Sequence, residues 1–401
     1  MNIVGYSYPW DYVGDPGAVE RAVALGVDVI ALAASYHACR AVSPLHPTRR
    51  VMDVAHSALY VPVRDEAWRG QRLVPSTPDW SSDDDLFNGA RRQLVDVGLA
   101  VDAWIVLTHH DDLGRKNPEL AVKNAFGDVY TYALCPQAPD VRQYCLTLVE
   151  EVLRSGKCRG VVLEACGPVG VDHAGAHDKT EFARWTSVVK ELLSLCFCDH
   201  CRAGLNDLGV EVDELARRVV VAVGGGAPSL NEALGDELAD RVATFRSGLA
   251  GRFREEIVEK VHDVQANATV TVHLSANQWA TGSFPGTFDD ESLSGVTCAV
   301  ANCWDRELAE RELQRLRALV GDGRRVGAYL RLDRGWENDS QIDDHLNRYA
   351  NAGMDELHLY HLGLVAQSGL DVGRRLIESS THEGERWIRA HTASGHEEGP
   401  R

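Results

Sequence analysis

The chain has 401 residues, 44% of them hydrophobic, with 59 acidic against 41 basic side chains and a formal net charge of −18. That length supplies a large core, two or three domains' worth unless one barrel takes most of it. The acidic balance argues against a nucleic-acid partner, which needs clustered Lys and Arg, and favours neutral or cationic ligands.

The N-terminus, Met1-Asn2-Ile3-Val4-Gly5-Tyr6, runs directly into a strand-like pattern. It has no basic segment followed by an apolar one, and nowhere does the chain hold an apolar stretch long enough to span a bilayer. The expectation is a soluble, cytoplasmic protein with no membrane partner, its oligomeric state left open. The ten cysteines, without a secretion signal, suit a reducing compartment.

In chain order, short β-branched runs read as strands at Asn2–Tyr8, Val27–Ser35, Val101–Thr108, Gly160–Ala165, Thr269–Ser275, Thr297–Asn302, Arg325–Leu332 and Glu356–His361. Their hydrophobicity is continuous, as in a parallel sheet buried on both faces, and helical periodicity fills most of the gaps. Eight β-then-α units predict a (β/α)8 TIM barrel over residues 1–382, a single domain. Two insertions follow strands. Residues 38–83 read as a hairpin flap over the barrel mouth, with strands in Ser57–Pro62 and Arg72–Pro75. Residues 166–267 read as a helical insertion: a helix over Glu181–Leu195, a cysteine cluster, a linker at Gly224-Gly225-Gly226, and a long helix with one apolar stripe from Leu238 to Val261. From residue 383 the pattern loses periodicity and reads as a disordered tail.

Barrel chemistry sits at the C-terminal ends of the strands. These ends offer Tyr8, Trp10 and Asp11; Tyr36 and His37; His109, His110 and Asp111; Glu164; His273; Asn302, Trp304 and Asp305; Tyr329, Arg331 and Asp333; Tyr360 and His361. Aromatic faces that cover C–H surfaces, mixed with polar groups for hydroxyls, suit a small carbohydrate. Glu164 ends an apolar strand, where burial raises a carboxyl pKa towards that of a general acid; the alternative is a structural ion pair. A second carboxylate would stand roughly 5–5.5 Å away for retention or 6.5–9.5 Å for inversion. Asp333 and Asp305 are the candidates, with Asp11 and Asp111 behind them. Asp333 also fits a salt bridge to its flanking arginines, and Asp305 fits a helix N-cap. The histidines at 109, 110, 173, 177, 273, 358 and 361 could instead hold a catalytic metal beside Glu164, the arrangement of a sugar isomerase or lyase. A barrel that binds sugar without turnover is the other alternative.

Cys196-Phe197-Cys198-Asp199-His200-Cys201 is a C-x-C-x-x-C cluster at the end of a helix. With Cys135 as the candidate fourth ligand it reads as a closed, structural zinc clasp; otherwise these are reduced core thiols.

The run Tyr132-Ala133-Leu134-Cys135-Pro136, then Glu164, then Cys196 to Arg202 resembles the order of landmarks in family 42 glycoside hydrolases, the β-galactosidase type. The resemblance implies structural zinc on Cys135, Cys196, Cys198 and Cys201, and Glu164 as acid/base. The chain differs from that family in having Leu163 where the family has Asn, and in lacking a glutamate at the end of strand seven. Asn124-Ala125-Phe126-Gly127-Asp128 and Leu193 to Cys198 also resemble uncharacterised actinobacterial barrels grouped with glycosyl hydrolases.

Overall fold

The computed structural model describes residues 1–172, 179–287, 291–333, 336 and 338–393. Eight strands, β1 (Asn2–Ser7), β2 (Val29–Tyr36), β3 (Ala100–Val106), β4 (Gly160–Glu164), β5 (Thr269–His273), β6 (Cys298–Asn302), β7 (Arg325–Arg331) and β8 (Glu356–Tyr360), pair in parallel in chain order. β8 returns to β1, with Gly5 opposite Leu359, so the sheet closes into a (β/α)8 barrel. All eight expected strands are present, with ends displaced by no more than two residues.

The outer layer is α1 (Gly17–Leu25), α2 (Leu86–Asp96), α3 (Pro139–Gly156), α4 (Asp236–Val264), α5 (Arg306–Val320), α6 (Asp339–Asn351) and α7 (Gln367–Ala393). α4 buries its expected stripe, including Val242, Phe245, Leu249, Phe253, Ile257 and Val261. The β5–β6 connection contributes only the 3-10 turn Glu291–Leu293 among its described residues. That loop is fastened by the fully buried Arg254 of α4, which donates to Thr287 Oγ1, Ser292 Oγ and the Gly286 carbonyl at 3.1–3.3 Å.

Strand residues alternate between the outer layer and the barrel lumen. Inside, Tyr6, Trp104, His273, Tyr329 and His358 pack ring against ring, so the lumen is a solid, unusually polar core. Gly327 of β7 makes room for it, because a Cβ there would lie 2.6 Å from the His358 ring. β2 carries a bulge between Ala33 and Ser35, and the Ser35 hydroxyl bridges to the Val106 amide and carbonyl at 3.1 Å, replacing the missing ladder bonds.

The insertions differ from the sequence reading in three places. The first insertion does contain a hairpin, but its strands are Cys39–Val42 and Val51–Val54. Of the expected pair, only Ala58–Leu59 is a strand, and it pairs antiparallel with β2. Arg72 to Pro75 forms no strand, and the Ala58–Leu59 pairing with β2 is continued by Tyr60, which donates its amide to the Ala34 carbonyl at 2.8 Å. In the second insertion the glycine triplet is a helix end, not a linker; the helix Val212–Gly225 is capped by Gly226 at φ 68°, a conformation that favours glycine. The expected helix over 181–195 is a 3-10 turn, Thr180–Ala183, followed by the helix Ser187–Leu193, whose start the Thr186 hydroxyl caps. α7 runs to Ala393, into the stretch read as a disordered tail; residues 394–401 lie outside the described residues. No helix among the described residues is long and apolar enough to cross a membrane.

Candidate active site

Glu164 closes β4 and is 5% exposed. Its Oε2 accepts the indole N–H of Trp104 at 2.8 Å, and its Oε1 accepts the Ser283 hydroxyl at 2.8 Å. Burial pushes the carboxyl up to about 7, against the pull of those two hydrogen bonds. A carboxyl poised there is protonated for a large part of the time at neutral pH, as a general acid requires. The next residue, Ala165, holds a left-handed backbone (φ 52°) and is anchored by the Thr108 hydroxyl, which donates to its carbonyl at 2.8 Å. The Ala165 amide donates to the Ser283 carbonyl at 3.3 Å, so the same loop that supplies the hydroxyl also ties down the end of β4.

Around Trp104, the hydrogen-bond partner of Glu164, expected aromatic residues converge. Tyr8 donates its hydroxyl to Tyr36 Oη at 3.0 Å and lies 3.3 Å from Tyr360 Oη. The Tyr8 ring stacks on Trp10 (4.2 Å between centroids) and on His361 (4.0 Å). Trp304, 41% exposed, lies parallel to Tyr329 at 5.9 Å, and the Arg331 guanidinium sits 4.8 Å over its ring. These two residues, with Asp305, Arg306, His345 and Arg348, line a cleft of about 930 Å³ at the ends of β6 and β7.

Other expected site residues are occupied structurally. Trp10 is buried beneath Tyr60 and Trp80 of the first insertion. His110 caps the short helix Asp111–Lys116 by accepting the Leu113 amide at 3.2 Å, and burial lowers its pKa to about 4. His37 stacks beside His109 at 4.2 Å. His361 accepts the Gly363 amide, and burial lowers it to about 3. His273 lies within the lumen rather than at the rim, its ring parallel to Phe284 at 4.5 Å. Asn302 is exposed and accepts the Trp304 amide at 3.0 Å.

Of the carboxylates, Asp305 is the N-cap of α5, accepting the Glu307 and Leu308 amides at 3.0 and 3.3 Å. Asp333 accepts from Nε and Nη2 of Arg331, at 2.8 and 2.6 Å. Asp111 binds Ser57 and Arg115. Asp11 is buried and accepts the Tyr8 amide at 2.8 Å; burial pushes it up to about 7. Among the described residues, no group of three or more potential metal ligands includes Glu164, His109, His110, His273 or His361, whereas His358 lies in one, with Cys298 and Glu356. His173 and His177 lie outside the described residues.

Sequence reading missed Trp104, Ser283 and the lumen residue Tyr6. Trp104 and Tyr6 were legible by alternation: each lies two residues from an inward strand position, Tyr6 before Tyr8 and Trp104 before Val106. Ser283 sits in an irregular loop and carries no periodic signal.

The four cysteines do converge. Cys135 Sγ lies 3.4 Å from Cys201, 3.6 Å from Cys198 and 3.9 Å from Cys196. A tetrahedron of ~2.3 Å zinc–sulfur bonds has edges of ~3.8 Å, whereas a disulfide needs ~2.05 Å. The donor set therefore fits one four-coordinate metal with no open position. Hydrogen bonds within the cluster hold Cys198 far down and push Cys135 and Cys201 well up, so that without a metal the four thiols share one thiolate centred on Cys198.

A parallel sheet that closes on itself, with a buried carboxyl at the end of its fourth strand, defines a (β/α)8 barrel. No protein-family model matches the chain, and no curated protein matches it by sequence. Solved structures share the fold at low identity. The α-L-fucosidase isoenzyme 2 from Paenibacillus thiaminolyticus has a TM-score of 0.57 and 12% identity over 96% of this chain and 50% of that one. The glycoside hydrolase domain of PgaB from Bordetella bronchiseptica has a TM-score of 0.54 and 14% identity over 90% and 94%. The β-galactosidase from Marinomonas ef1 has a TM-score of 0.58 and 9% identity over 98% and 60%. The chain thus spans half of the fucosidase and under two thirds of the galactosidase.

Proposed function

We propose that the chain is a glycoside hydrolase acting on a small oligosaccharide or glycoside, with Glu164 as proton donor. The observation that carries this is Glu164 itself: buried at the end of β4, raised to about 7, and hydrogen-bonded to Trp104, against which Tyr8, Tyr36 and Tyr360 pack. Trp304 is the proposed stacking face, backed by the buried Tyr329, with Arg331 as a hydroxyl-binding group beside it. Asp333, at the end of β7 beside Arg331, is the proposed second carboxylate. Asp305 is the less suited of the pair, with one oxygen given to the α5 cap.

The first insertion is proposed as a roof on the mouth, supported by the packing of Tyr60 and Trp80 on Trp10. The four-thiolate cluster is proposed to hold structural zinc, and ten free cysteines suit a reducing, cytoplasmic setting.

The test is a panel of alkyl α- and β-glycosides and disaccharides, whose leaving groups need a proton, with Glu164→Gln and Asp333→Asn in parallel. The expected result is turnover on at least one sugar, reduced ~100-fold or more in Glu164→Gln. Equal turnover in Glu164→Gln would remove Glu164 from the mechanism. A carbohydrate-binding barrel without turnover is the second reading, favoured by the prior engagement of both Asp305 and Asp333. It expects a sugar that raises the melting temperature yet is never cleaved.

A further inference from the structure

We propose that Arg246 of α4 is the counter-ion of the metallated cysteine cluster, and that through it the metal fastens the loop that presents Ser283 to Glu164. The proposal rests on the reading of the four cysteines as a zinc site, and it makes Arg246 a positioning residue.

Arg246 is 7% exposed, yet it forms no ion pair among the described residues. Its Nε is buried without a hydrogen-bond partner, its Nη2 donates to the Trp279 carbonyl at 3.2 Å, and the guanidinium lies 5.5 Å over the Trp279 ring. Burial lowers its pKa to about 10 against the charges of Glu191, Cys201 and Cys196, so it stays charged at neutral pH. One carbonyl and one indole face are thin compensation for a buried cation, since charged side chains are kept inside a protein where an opposite charge meets them. Glu191 does not meet it at contact distance: it accepts from Asn277 Nδ2 at 3.1 Å and forms no ion pair with Arg246.

The cysteine cluster supplies the missing charge. Arg246 shares the wall of one narrow, mostly apolar cavity with Cys135, Cys196 and Cys201. Four thiolates around one divalent cation carry two net negative charges, and apolar walls screen them little. The metal-free cluster holds a single thiolate, so metal binding deepens the negative field at the guanidinium. The planar, weakly hydrated guanidinium suits such a buried partner better than an ammonium would.

The same side chain reaches the active-site loop. Trp279, whose carbonyl takes Nη2, belongs to the segment after β5 that runs on to Ser283. In that segment the Gly282 amide donates to the Pro168 carbonyl at 3.1 Å, and Pro168 lines the cavity that holds Arg246. Ser283 then donates its hydroxyl to Glu164 Oε1 at 2.8 Å and takes the Ala165 amide on its carbonyl at 3.3 Å. Metal, Arg246, Trp279 and Ser283 thus form one continuous fastening that ends on the candidate acid.

The first test measures zinc affinity of the whole protein by chelator competition. Arg246→Met is expected to bind zinc about 10-fold or more weakly than wild type, with Arg246→Lys, which keeps a cation, in between. Wild-type affinity in Arg246→Met overturns the proposal, and so does an equal loss in Glu191→Gln, which would make Glu191 the partner. The second test is amide hydrogen exchange. Removing zinc from wild type should deprotect the hydrogen-bonded amides of Ala280, Gly282 and Gly286, and zinc-saturated Arg246→Met should deprotect the same amides while those of Phe197 and Arg202 beside the cysteines stay protected. A purely local clasp would lose protection at Phe197 and Arg202 alone, and that pattern overturns the link to the loop. Arg246→Lys carries both readouts if the methionine variant does not fold. A protein without zinc by metal analysis refutes the zinc reading and the proposal together, whereas bound zinc of unchanged affinity in the variant refutes the proposal alone.

Discussion

At the scale of single residues, the candidate acid owes its character to burial more than to any neighbouring charge. Trp104 and Ser283 pull Glu164 towards ionisation, and loss of water outweighs them. If Glu164 must be protonated to act, kcat/KM falls as pH rises through about 7, and the limb is absent for aryl leaving groups that need no proton. A rate that climbs through that window instead would assign Glu164 the role of base. Removing the Trp104 hydrogen bond with Trp104→Phe takes away one stabiliser of the carboxylate, so the limb should move to higher pH. A pH–rate profile of the two proteins checks both statements.

Secondary-structure elements were legible where periodicity is strong and illegible where a single contact decides. The eight strands and the α4 stripe follow from continuous or 3.6-period hydrophobicity. The hairpin at Cys39–Val42 does not, since its pattern is short and half exposed, whereas the more apolar run at Ala58 is captured by the edge of β2. At the site, Glu164 could be read because a carboxylate ending an apolar strand stands out. Trp104 and Tyr6 look like ordinary core residues until the closure of the barrel points them at one another. Element ends also set the cost of substitution: Asp305→Ala removes the α5 cap and should destabilise the protein by ~1 kcal/mol, read by denaturant melts. If Asp305 is a cap and no more, turnover survives. For the cysteine clasp, one zinc per chain is expected by metal analysis, and Cys198→Ser should lose it and lower the melting temperature. Retention of metal in Cys198→Ser would show that the ligands lie elsewhere.

For the molecule as a whole, buried ionisable groups set opposing slopes of stability with pH. Glu164 and Asp11 have folded-state values near 7, above their unfolded ones, so each withdraws stability as pH rises through 7. His110 and His361, lowered to about 4 and about 3, act the other way and restore stability as pH rises from about 3 to 6.5. The two trends offset each other in mild acid, and only the decline remains above pH 6.5. Denaturant melts at pH 6.5 and 8 should show a loss of roughly 1 kcal/mol per carboxyl, abolished by Glu164→Gln for its share. Stability that rises over that interval would contradict the assignment. Ala165 bears on the same balance from another side. Its left-handed backbone costs about 1 kcal/mol that glycine would not incur, so Ala165→Gly should raise the melting temperature. Glycine there would also free the end of β4 to sample other conformations, and the same exchange should lower kcat. A sturdier and slower Ala165→Gly protein would mean that selection has kept a strained joint because rigidity at the acid is worth more to the organism than the stability it forgoes.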